Sequence, residues 1–72
     1  MATPLKDFKV LKTIPTSDPH VFYLELEDEN GQIFPVVEAT VDAVKSITEE
    51  NFIFGHLIGD GPNYAFLAGG RG

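Results

Sequence analysis

The stretch that most restricts the fold is Val21 to Ala39, VFYLELEDENGQIFPVVEA. Two apolar-rich runs flank Asn30-Gly31. In the first run Phe22, Leu24 and Leu26 alternate with Tyr23, Glu25 and Glu27. Alternation of period two marks a strand with one buried face and one wet face. Asn30 and Gly31 both tolerate the positive φ that tight hairpin turns require. The return run is Ile33-Phe34-Pro35-Val36-Val37.

Two registers compete for this hairpin. A two-residue turn sets Leu26 opposite Pro35 and Leu24 opposite Val37. A three-residue turn with Gly31 left-handed sets Leu26 opposite Phe34 and Leu24 opposite Val36. The second is favoured because it stacks four larger apolar side chains on one face. Pro35 has no N–H, so its outward side is expected at an edge or a bulge.

The rest of the chain is organised around this hairpin. Met1 to Lys6 reads as a short arm. Asp7 to Ile14, DFKVLKTI, is a first strand with Phe8 and Val10 facing in. Its alternation slips at Leu11-Lys12, which predicts a bulge or a strong bend. Pro15 to Pro19 is a loop, with two prolines among turn formers. Thr40 is placed to cap a short helix from Val41 to Ile47, whose Val41, Val44 and Ile47 follow at helical spacing. Its β-branched residues make it a poor helix in isolation, so packing must hold it. Phe52 to Ile58 is a fourth strand, apolar on both faces. Gly59 to Asn63 is turn chemistry, Tyr64 to Ala68 a fifth strand, and 69–72 a glycine-rich tail.

The element order is β-β-β-α-β-β. The expectation is one mainly β domain over residues 1–72, a small five-stranded antiparallel barrel or sheet with one short helix. That order suits an OB-like barrel and leaves an SH3-like barrel open.

Length and charge narrow the function classes. A chain of 72 residues buries only about 60% of its unfolded surface, so its stability is marginal without help from a partner. There are no cysteines, which excludes disulfide staples and thiolate metal sites and fits a reducing compartment. No apolar run is long enough to span a membrane, and MATPLKDFKV lacks the apolar core of a signal peptide. The expected location is therefore cytoplasmic, or a particle assembled inside the cell.

The net charge is −6, and Val21 to Asp60 carries nine acids against Lys45 alone. This argues against nucleic-acid partners and anionic membranes, both of which need clustered positive charge.

No constellation of catalytic or metal-binding residues emerges. His20 precedes a strand in a Pro-rich loop, and His56 lies within strand four, so nothing in the sequence pairs them. Glu25, Glu27, Asp28 and Glu29, with Glu38 across the hairpin, form an acidic patch. Its spacing does not match a calcium loop, and the chain is too small for a glycosidase cleft. A solvated strand face accounts for it. Gly55, Gly59 and Gly61 lack the following helix and lysine of a phosphate loop. Neither cofactor nor metal is expected, and no enzymatic activity.

What remains is a surplus of apolar residues. Leu11, Ile33 and Val37 fall on faces the hairpin leaves outward, and Phe52 and Phe54 share one face of a strand that is apolar on both sides. With Arg71 in the tail, these are the candidate interface residues. They point to a non-enzymatic assembly protein, a homo-oligomer or a docking subunit of a larger complex. Accessory subunits and small proteins that cement viral shells are of this kind. The alternative is an acidic inhibitor that mimics nucleic acid and occupies a basic protein site.

Overall fold

A computed structural model describes residues 3–69. The strands are β1 (Lys6–Pro15), β2 (Val21–Glu27), β3 (Ile33–Thr40), β4 (Phe52–Ile58) and β5 (Tyr64–Ala68), with one helix, α1 (Val41–Lys45), after β3. They close into a barrel in the order β1-β2-β3-β5-β4, with β4 returning to β1. The element order β-β-β-α-β-β and the closure into a small five-stranded barrel are those expected from the sequence.

The pairings are antiparallel except at one seam. There β3 and β5 run parallel, with Val37 opposite Tyr64 and Glu38 opposite Ala65. The topology forces this. The chain crosses from β3 through α1 to β4 and folds back as the β4–β5 hairpin, and only such a crossover lets two strands run parallel.

The β2–β3 turn forms as its residues dictate. Gly31 has φ +80°, its N–H donates to the Asp28 carbonyl at 3.1 Å, and the Asp28 N–H donates to the Gln32 carbonyl at 3.0 Å. The Asp28 carboxylate accepts from the Asn30 and Gln32 N–H groups, each at 2.9 Å.

The register beyond the turn combines the two alternatives. Leu26 stands opposite Phe34, yet Leu24 stands opposite Val37. Two steps on β2 match three on β3, so β3 carries a bulge where Pro35 and Val36 both point outward. This corrects the placement of Val37. Expected on an outward interface, it is wholly buried in the core, because the bulge at the proline shifts the alternation by one residue. A second bulge lies at Leu11, between the pairs Val10–Leu26 and Lys12–Glu25, where the alternation of β1 slips.

The barrel interior is built from aromatic edges. Phe8 meets Phe34 at 6.3 Å and Phe66 at 6.2 Å between ring centroids, and Phe34 meets Tyr64 at 5.2 Å, all near perpendicular. Such pairs contribute ~0.5–1.5 kcal/mol each beyond area burial. Leu24, Leu26, Ile53 and Leu57 fill the space between them. Gly55 is bare for a reason, since a Cβ there would collide with the Leu67 carbonyl oxygen and the Phe66 ring.

α1 closes one end of the barrel. The Thr40 hydroxyl accepts from the Ala43 N–H at 3.2 Å, as an N-cap should. Ala43 is the helix residue that is buried, and Val44 and Ile47 pack partly against the core. The helix stops at Lys45, short of the expected Ile47. The next residues tighten, with Ser46 N–H donating to the Ala43 carbonyl at 3.0 Å and Ile47 N–H to the Val44 carbonyl at 3.2 Å.

Ahead of β1, Thr3 is fastened to β4. Its N–H donates to the Leu57 carbonyl at 3.0 Å, and its hydroxyl accepts from the Leu57 N–H at 2.9 Å. At the other end, Gly69 N–H donates to the Phe54 carbonyl at 2.9 Å. Arg71 lies outside the described residues.

Candidate interaction surface

Register decides which outward side chains become neighbours. Lys9 stands opposite Glu27 on one side and Phe52 on the other, and Glu27 stands opposite Ile33. One row therefore crosses four strands as Ile33, Glu27, Lys9 and Phe52. Farther along, Ile14 stands opposite Tyr23, Tyr23 opposite Glu38, and Glu38 opposite Ala65. Between these rows lie the Lys12–Glu25 pair, the bulged Leu11, and Val36.

The exposures show what the barrel leaves uncovered. Among the described residues, ten hydrophobic side chains are buried, yet eight large ones remain 38–55% exposed: Leu5, Leu11, Ile14, Tyr23, Ile33, Val36, Phe52 and Leu67. Of the residues singled out in the sequence, Leu11, Ile33 and Phe52 belong to this set. Phe54 is only half-exposed, and Gly69 lies against its ring and against the Leu5 methyl groups.

Ile14, Val36, Leu5 and Leu67 were not singled out. Tyr23 carried a visible signal, the wet phase of the β2 alternation. Its neighbour Ile14 did not, because the bulge at Leu11 hides the phase of distal β1.

The acidic patch is laced with lysines. Glu27 faces Lys9 and Glu25 faces Lys12 across β1–β2. Lys6 Nζ donates to Glu29 Oε1 at 2.9 Å and also sits 5.3 Å from the centroid of the buried Phe8 ring. Asp28 is committed to the turn. Glu38 lies beside Tyr23. An open hollow between Asp7, Lys9, Glu27, Asp28, Glu29, Gly31 and Phe52 marks where this patch meets the apolar row.

The histidines lie in different settings. His20 is exposed in the β1–β2 loop beside Asp18, Nδ1 to Oδ1 3.4 Å. His56 is half-buried on β4, its Nδ1 3.3 Å from the Thr3 carbonyl oxygen. Among the described residues no group of three or more histidines and acids comes together to hold a metal. No helix among them is long and apolar enough to cross a membrane.

Compared with known proteins, the chain matches no family model, no curated protein and no solved structure.

Proposed function

We propose that this chain is a non-enzymatic interaction protein that self-associates or docks into a larger assembly through the outside of its barrel. The observation that carries this reading is the apolar surplus. The core is filled by ten residues, and eight large hydrophobic side chains still face outward among the described residues. The sheet register relates several of them. Ile14 and Tyr23 are cross-strand neighbours, and Ile33 and Phe52 end one four-strand row. Large apolar side chains, aromatics among them, left exposed beyond a filled core mark interaction surfaces.

The second reading, an acidic inhibitor of a basic site, draws on Glu25, Glu27 and Glu38 sharing the outside of β2 and β3. Lys9 and Lys12 stand opposite two of those three acids, which weakens the field such a mimic needs.

Sedimentation velocity over a range of concentrations and salt tests both. The expected result is association, with itself or with a bound protein, that survives ~1 M salt, where charges farther apart than ~3 Å are screened. Association that collapses as salt rises would transfer the case to the acidic mimic. A chain that stays monomeric and retains no protein at high salt would overturn the proposal.

A further inference from the structure

β1 changes partners along its length. Lys6 to Lys9 pair with β4 on one side, from Gly55 back to Phe52, and Val10 N–H donates to the Asn51 carbonyl at 2.7 Å. Past Val10 the strand continues to Pro15 with β2 on its other side. Among the described residues no strand pairs with this distal edge. Leu11, Lys12, Thr13, Ile14 and Pro15 are all exposed, so here β1 is an open edge strand on the β1-β2-β3 sheet. Such an edge offers a row of backbone donors and acceptors on which another strand can pair.

We propose that the distal half of β1 pairs antiparallel with the same segment of a second copy, about a two-fold axis at Thr13. The inference rests on the self-association reading above and says where that contact lies. Facing selects the register. Lys12 and Ile14 stand opposite Glu25 and Tyr23 on the outer face, while Thr13 stands opposite the buried Leu24. Residues opposite each other in an antiparallel pair share a face. A two-fold at Thr13 obeys this, setting Thr13 against its own copy, Lys12 against Ile14, and Leu11 against Pro15. The contact is self-complementary, as a two-fold interface must be. The pairing ends at Pro15, which has no N–H to offer, opposite Leu11 and before the Val10 N–H that Asn51 already uses.

Charge favours a second copy at this edge. Each copy carries −6 overall, but the acids Glu25, Glu27 and Glu38 sit on β2 and β3, at least one strand away. The segment Leu11 to Pro15 holds Lys12 and no acid. Two copies therefore meet at a stretch that carries no negative charge of its own. Outward, the row then reads Glu25, Lys12, Ile14 and Tyr23 across the axis, which brings the exposed Ile14–Tyr23 pair under the aliphatic stem of the other copy's lysine.

Two variants at one exposed position test the register. Ile14→Lys places like charges opposite each other, and Ile14→Glu places a carboxylate opposite Lys12. Both remove the same apolar side chain. A general charge argument favours Ile14→Lys, since it lowers the net negative charge; the register favours Ile14→Glu. Sedimentation equilibrium should show wild type and Ile14→Glu as dimers and Ile14→Lys shifted to monomer, with circular dichroism confirming that each is folded.

Thr13→Cys supplies a second, independent measurement in a chain with no cysteine of its own. Paired Cα atoms stand ~4.5–5.5 Å apart, within disulfide reach. Under mild oxidation Thr13→Cys should cross-link ~10-fold or more faster than Glu49→Cys, because pairing raises its effective concentration toward millimolar.

If wild type associates but the two cysteine variants cross-link alike, or Ile14→Lys associates as well as Ile14→Glu, this contact is wrong and self-association lies elsewhere on the barrel. If wild type never associates, this contact falls with it, and only docking onto another protein survives from the function proposed above.

Discussion

Leu24 stands directly opposite Val37, and both are completely buried. Next to Val37, Val36 is 51% exposed. Two consecutive valines in one strand thus face opposite worlds, as the pleat requires, and the bulge at Pro35 decides which is which.

That relationship predicts a sharp asymmetry. Val37→Asp buries an unpaired carboxyl in an apolar core and should abolish the cooperative urea transition. Val36→Asp should move the midpoint little, by ~0.5 kcal/mol or less. Equal effects at the two positions would show that the bulge is misplaced.

Gly31 isolates a backbone effect. A Cβ there meets only Glu27 Oε2 at 3.9 Å, so space is ample and the cost of a side chain comes from φ +80°. Gly31→Val should cost at least ~1 kcal/mol, and Gly31→Asn far less, since asparagine tolerates left-handed backbone. Urea midpoints of the pair check this, and an unchanged midpoint for the valine variant would contradict the turn.

Gly55 is the reverse case, limited by space. Its Cβ would enter the Phe66 ring and the Leu67 carbonyl. Gly55→Ala should destabilise by ~1–3 kcal/mol through overpacking, which in a domain of this size lowers Tm by ~4–8 °C per kcal/mol. Shrinking the ring with Phe66→Leu in the same chain should recover part of that loss. A neutral Gly55→Ala would mean that β4 and β5 lie farther apart.

The Lys6–Glu29 pair should contribute little. The two side chains are 22% and 56% exposed, and pairs of this kind are worth ~0–1 kcal/mol. Glu29→Gln should therefore leave thermal stability nearly unchanged at high salt and lower it slightly at low salt. A large drop at both would assign the pair a role in holding the hairpin against β1.

Local chemistry made much of the fold legible. Alternation places β2, punctuation by glycine and asparagine bounds β4 and β5, Thr40 marks the helix start, and the slip at Leu11 marks a bulge. Pro35 signalled an edge or a bulge, but neither that it would be the bulge nor that the bulge would turn Val37 inward. That outcome depends on the turn fixing Leu26 opposite Phe34 at one end and the core claiming a valine at the other. The parallel β3–β5 seam left no local mark, because Val37 and Tyr64 are joined only through a crossover. The surface was less legible for the same reason. Leu11, Ile33 and Phe52 show as surplus residues, whereas the Ile14–Tyr23 pair exists only once the β1–β2 register is known.

The division of β1 between two neighbours has a consequence for how the native state breathes. Its first half pairs with β4, meets β2 as well at Lys9, and carries Phe8 at the centre of the aromatic core. Its second half is held on one side and exposed. Amide hydrogens along this single strand should therefore exchange on two timescales, slowly up to Lys9 with global unfolding and quickly beyond Leu11 by local peeling of this edge from β2. A strand so graded can give up its far end without opening the barrel.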